Sequence, residues 1–154
     1  MPLLIAVDLG SHAAKVTTFR SAGRKAELED RFSYPVPQAG GVPTLEARLA
    51  ALQALLDDNP GWAGGAATIG VVLSGSDAAF RPMEMPFTDR AQVEKTLPFA
   101  IEGEVPYDLD DMVLGWRSTK VGEATRVMSV LARKTSLQRY IDALKERGMD
   151  PRHV

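Results

Sequence analysis

Leu3 to Leu9 is an apolar run broken only by Asp8, and Gly10-Ser11 ends it. A run of this length and content reads as a buried strand. Ala13 to Arg20 resumes with Val16, Thr17, Thr18 and Phe19, residue types that suit a pleated surface. Lys25 to Tyr34 continues with a looser alternation after the Ser21-Ala22-Gly23-Arg24 turn, and a loop rich in Pro and Gly follows from Pro35 to Pro43. The pattern predicts three consecutive strands joined by short turns, a meander.

The period then changes. Leu45, Leu49, Leu52, Leu55 and Leu56 recur at helical spacing, with Thr44 placed to cap the start and Asn59-Pro60-Gly61 to stop the end, so a helix is predicted from Leu45 to Asp58. Thr68 to Ser74 reads as a buried strand between Gly64-Gly65 and Gly75. A helix followed by an apolar strand implies a mixed α/β layer.

The second half has its own rhythm, a βαββα unit. Its predicted parts are a strand over Phe80–Met85, a helix from Asp89, strands over Met112–Thr119 and Arg126–Arg133, and a helix over Ser136–Arg147. Asp89 with Gln92, and Thr135 with Gln138, have the spacing of capping boxes. The last helix places Leu137, Tyr140, Ile141 and Leu144 on one face, with Gly148 as the residue just past its end. Pro98 falls inside the middle helix and should either kink it or end it one turn early. The expected subdomains are 1–78 and 79–148, with 149–154 opening a further element, as in a truncated chain.

Composition narrows the class. A chain of 154 residues, 45% hydrophobic and 25% charged, has room for one ordinary domain or two small subdomains and is too apolar for a disordered tether. Eighteen Lys and Arg against twenty Asp and Glu give a net charge of -2, so no basic field exists to hold a phosphate backbone and nucleic acid is not an expected partner. The absence of cysteine excludes disulfides, Cys-ligated metals and cysteine catalysis, and His12 and His153 lie far apart. The first residues lack the basic lead of a secretory signal, and no stretch approaches the roughly 18 apolar residues that cross a bilayer. A cytoplasmic location is therefore expected.

Two segments could carry chemistry. In Val7–Lys15 an acidic residue ends an apolar strand, a Gly-Ser turn follows, and the returning strand brings Lys15. Such a hairpin can present backbone N–H groups and a hydroxyl to a phosphate, with Asp8 near a hydrated divalent cation. Asp8, Gly10, Ser11 and Lys15 are the candidates, and the alternative is an ordinary turn in which Asp and Gly serve only the backbone. The other segment is acidic: Glu102, Glu104, Asp108, Asp110 and Asp111, threaded with Pro106 and Tyr107. It lacks the Gly and Glu positions of an EF-hand loop, so no metal is expected there. It is either a solvated loop or a partner surface in which Glu102, Tyr107, Asp108, Asp110 and Asp111 face a basic protein. Trp116 and the alternating Met83 and Met85 read as core positions, and His12 as an exposed tip residue.

Ile5-Ala-Val-Asp-Leu-Gly-Ser-His-Ala-Ala-Lys15 resembles the first phosphate-binding hairpin of the actin, Hsp70 and sugar-kinase superfamily. The segment from Met85-Pro-Phe-Thr-Asp-Arg to Glu102-Gly-Glu-Val-Pro-Tyr-Asp-Leu-Asp-Asp111, with Leu114-Gly-Trp-Arg117, is more specific. It resembles the cytoplasmic domain of the GspL family, inner-membrane platform proteins of type II secretion, and more distantly PilM of type IV pilus assembly. The resemblance implies an actin-like, RNase H-like first subdomain carrying a smaller inserted α/β subdomain, with a second lobe beyond the chain. It also implies a non-catalytic scaffold on the cytoplasmic face of the bacterial inner membrane. Its implied partners are the N-terminal domain of a GspE-like secretion ATPase, GspM-like and GspF-like platform proteins, and a second copy in a homodimer. The membrane would be reached only through a later segment. No cofactor is expected on this chain, ATP and Mg being possible only in the parent protein. The alternative implied is a PilM-like protein that binds nucleotide and the N-terminal tail of a PilN-like partner.

Overall fold

A computed structural model of the chain describes residues 3–149 and 151, except 24, 39, 42 and 66. Arg24 of the expected turn, His153 and most of the expected further element over 149–154 lie outside the described residues. The chain divides into two compact units, 1–76 with 138–154, and 77–137.

In the first unit, β1 (Leu3–Leu9), β2 (Ala13–Ala22) and β3 (Lys25–Pro35) form the expected meander. The helix α1 (Leu45–Asp58) then leads to β4 (Ala67–Leu73), which pairs parallel with β1, so the sheet order is β3-β2-β1-β4. Strand alternation decides which residues are buried: Ile5, Val7 and Leu9 of β1, Val16 of β2, and Ile69 and Val71 of β4 point into one core. Leu49, Leu52, Leu55 and Leu56 of α1 join that core, and Thr44 caps the helix by accepting from the Ala47 N–H at 3.2 Å. Trp62 is buried there against Phe32, ring centroids 6.1 Å apart. The charged stretch of β3 over Lys25–Arg31 is exposed along the sheet edge, where unpaired backbone otherwise invites aggregation.

In the second unit, β5 (Ala78–Met85), β6 (Met112–Val121) and β7 (Ala124–Arg133) form an antiparallel sheet in the order β5-β7-β6. The helix α2 (Arg90–Glu102) supplies Val93, Leu97 and Ile101 at intervals of four to a core with Met85, Met112, Val127 and Leu131. Asp89 caps it by accepting from the Gln92 N–H at 2.8 Å. The helix continues through Pro98 to Glu102, because Leu97 and Ile101 are both buried and hold the turn on either side of the proline.

The last helix, α3 (Lys134–Lys145), differs from expectation in two ways. It starts at Lys134, so Thr135 is inside the first turn, and the Gln138 amide donates instead to Asp142 Oδ1 at 2.7 Å. Its buried residues Tyr140, Ala143 and Leu144 belong to the core of the first unit. The expected boundary at 148 is therefore replaced by one at Leu137, since the apolar stripe of α3 is buried with α1 and not with α2. Past its end, the Gly148 N–H reaches the Lys145 carbonyl at 2.9 Å and the Met149 N–H the Leu144 carbonyl at 3.0 Å, a Schellman turn with Gly148 at φ 71°. No helix among the described residues is long and apolar enough to cross a membrane.

Candidate functional site

Because β1 and β4 run parallel and adjacent, their C-terminal ends meet at one edge of the first sheet, with Leu9 level with Leu73. That edge is where open α/β sheets bind ligands. The β1–β2 turn lies there, closed by the Gly10 N–H donating to the Ala13 carbonyl at 3.1 Å. Gly10 packs closely here: a Cβ would sit 3.2 Å from that carbonyl oxygen. Ser11 Oγ lies 3.2 Å from Ser74 Oγ, which lies 2.9 Å from Ser76 Oγ, so three hydroxyls form a chain from the hairpin to the end of β4. Gln38 Nε2 donates to the Ser11 carbonyl at 3.4 Å.

Asp8 and Lys15 are direct cross-strand partners, and both are exposed on the sheet face opposite Val7 and Leu9. The four predicted hairpin residues therefore divide. Asp8 and Lys15 face solvent, whereas the N–H of Gly10 and the hydroxyl of Ser11 already have partners within the protein. A phosphate at this turn would compete with the Ala13 carbonyl for the Gly10 N–H and with Ser74 for the Ser11 hydroxyl. Ser74 and Ser76 do not stand out in the sequence. Their only signal is a Ser-Gly-Ser directly after an apolar strand, and the parallel pairing of β4 with β1 is what brings them to Ser11.

The acidic segment is gathered at the junction of α2 and β6. Glu102 is the last residue of α2 and is exposed. The Asp108 carboxylate accepts from the Asp110 N–H at 2.9 Å and so caps a single helical turn over Leu109–Asp111. Lys134 Nζ donates to the Asp110 carbonyl at 2.6 Å, and the Asp111 N–H to the Asp108 carbonyl at 3.1 Å. Tyr107 is half-buried on the second core, with the Arg133 guanidinium 5.8 Å from its ring centre. Trp116 is likewise packed on that core, with Arg90 5.2 Å from its ring. Among the described residues no three His, Asp or Glu side chains converge as a metal site.

The family model of type II secretion system (T2SS), protein L matches residues 29–154, which include all of the second unit and most of the first. The chain belongs to this family. No curated protein sequence matches it significantly.

Two solved structures are similar to this chain in fold. The cytoplasmic domain of EpsL, an inner membrane component of the type II secretion system of Vibrio cholerae, is 20% identical with a TM-score of 0.61 over 97% of this chain. A chain of the PilM-PilN type IV pilus biogenesis complex is 21% identical with a TM-score of 0.71 over 98% of this chain. The protein L chain spans 55% and 46% of their respective lengths.

Proposed function

We propose that this protein L chain is a non-catalytic scaffold of the type II secretion inner-membrane platform, docking the cytoplasmic secretion ATPase to the membrane assembly. The observation that carries this reading is the family match across 126 of 154 residues, 29–154. The hairpin fits it, since the Gly10 N–H donates to the Ala13 carbonyl and the Ser11 hydroxyl is paired with that of Ser74. In this reading the first unit is an actin-like, RNase H-like subdomain and the second an insertion into it, both on the cytoplasmic face of the bacterial inner membrane. The partners are a GspE-like ATPase, through its N-terminal domain, and GspM-like and GspF-like platform proteins. The acidic turn at Asp108, Asp110 and Asp111 offers carboxylates to a basic surface. Any ATP and Mg would belong to the parent protein.

The TM-score of 0.71 to the PilM chain supports a second reading, a pilus-type protein that binds nucleotide and the N-terminal tail of a PilN-like partner. Calorimetric titration separates them. The scaffold reading expects heat on adding the N-terminal domain of a type II secretion ATPase and none on adding a PilN-like N-terminal peptide. The reverse result would overturn it.

A further inference from the structure

Four of the seven large hydrophobic residues that stand exposed among the described residues lie on one face of the second sheet: Phe80, Val113, Val121 and Met128, each 42–50% exposed. Strand register puts Val113, Phe80 and Met128 in three successive rows, whereas Val121, level with Ala124, lies beyond the charged row. Directly opposed residues share a face, so Phe80, Val130 and Gly115 form one row across β5, β7 and β6, and Pro82, Met128 and Arg117 form the next. Glu84, Arg126 and Thr119 complete a third row. The opposite face carries Met85, Val127 and Leu131 into the core with α2. A sheet covered on only one side normally turns polar residues to the other. Here the uncovered side is apolar at the Phe80 end and charged at the Glu84 end.

The face also has relief. A Cβ placed on Gly115 would meet nothing within 4 Å, leaving an open gap beside Val130. A depression of about 400 Å³ extends over the charged end, lined in part by Pro82, Met128, Arg117 and Arg126. Arg126 lies 3.5 Å from Glu84, and Arg117 has no ion pair among the described residues. The three charges leave a positive excess of one.

We propose that this face docks an amphipathic helix of a partner protein, with apolar side chains over Phe80, Val130 and Gly115 and carboxylates against Arg117 and Arg126. Layered α/β architecture makes a helix the natural cover for a sheet face. Charge complementarity selects an acidic one, and exposed arginine beside large apolar side chains is the composition of interface anchors. The eight residues of β5 span about 27 Å, the length of a helix of about 18 residues. The proposal follows from the sheet face alone and stands whichever partner the scaffold reading names.

The test uses the full chain and a labelled synthetic helix of about 18 residues with leucines along one face and glutamates flanking them, beside a version with lysine in place of glutamate. Fluorescence anisotropy should show the acidic peptide binding at least about tenfold more tightly than the basic one. The R117E/R126E variant should reverse that preference. Met128→Asp and, separately, Phe80→Ser should weaken the acidic peptide about tenfold or more, with far-ultraviolet dichroism unchanged because all four positions are exposed or half-exposed. Equal affinity for both peptides, or an acidic-peptide affinity indifferent to these variants, would overturn the proposal. So would sedimentation showing a dimer of this chain that Met128→Asp dissolves, since the face would then be covered by a second copy.

Discussion

Arg48 Nε donates a hydrogen bond of 3.0 Å to Tyr140 Oη, joining α1 to α3 across 92 positions of sequence. Arg48 is 3% exposed and Tyr140 1%, and the same guanidinium donates to the Pro43 carbonyl at 2.6 Å. A buried guanidinium is tolerated only where its donors are satisfied. The contact explains why the last helix belongs to the first unit: α3 supplies both apolar burial and an acceptor for a charge on α1.

Removing that acceptor with Tyr140→Phe is expected to cost about 1–2 kcal/mol while leaving the ring in place. The two tryptophans allow a clean reading, since Trp62 lies in the first unit and Trp116 in the second. In a Trp116→Phe background, urea unfolding followed by Trp62 emission should show an earlier midpoint with an unchanged slope. An unmoved midpoint would mean that the bond contributes nothing net.

Arg139 forks onto the Glu46 carboxylate, with Nη2 2.6 Å from Oε2, a second tie between α3 and α1. The hydrogen bond from Arg139 holds the Glu46 carboxyl below its ordinary value of 4.5. A carboxyl depressed in the folded state stabilises above the unfolded value, and that stabilisation is lost as pH falls through the folded one. The melting temperature of the native chain should therefore exceed that of Glu46→Gln between about pH 6 and 8, and the two should converge as pH falls below 4.5 and through the depressed folded value. The pair is exposed, so the difference should be small and should shrink in high salt.

Tyr34 shows the opposite sign. Its hydroxyl donates to Asp58 Oδ2 at 2.9 Å, and that bond raises its pKa above 10.0. The contribution is complete below about pH 10 and lost as pH rises through the folded value. Ultraviolet titration of the native chain and of Asp58→Asn should differ by one tyrosine step, which the substitution moves to lower pH.

Ser74→Ala breaks the hydroxyl chain between the hairpin and β4, and an expected loss of about 0.5–1.5 kcal/mol should appear with faster amide exchange around Ser11. Lys15→Ala and Asp8→Ala, at exposed positions, should each change stability by less than about 0.5 kcal/mol and leave ATPase-domain binding unchanged. A large loss of binding in either would return the hairpin to a working role.

Asp108→Asn, Asp110→Asn and Asp111→Asn together should slow association with the ATPase domain and flatten its salt dependence. Asparagine can still cap the turn that Asp108 caps, so the change removes charge without removing the local fold. Unchanged association kinetics would assign these carboxylates to solvent alone.

Much of the fold was legible along the chain because its signals are local. The apolar run of Leu3 to Leu9, the leucine period of α1, the caps at Thr44 and Asp89 and the glycine after α3 each act within a few residues, and each is found in place. The family resemblance was legible for a related reason, since it rests on contiguous segments. What the sequence could not supply were relationships between distant residues. The capping pattern at Thr135 and Gln138 did not form, because the helix begins earlier and Gln138 found Asp142. Ser74 and Ser76 became neighbours of Ser11 only through the parallel pairing of β1 with β4.

The sequence alone determined the order and type of the elements, since periodicity and capping are set by neighbours a few positions away. Only the tertiary structure decided that α3 returns to the first core, that Ser74 and Ser76 meet Ser11, and that the second sheet leaves an apolar, arginine-flanked face uncovered. Each of these depends on which strands pair and which helix covers which side. That choice is made by burial summed over both halves of the chain, not by any single segment of it.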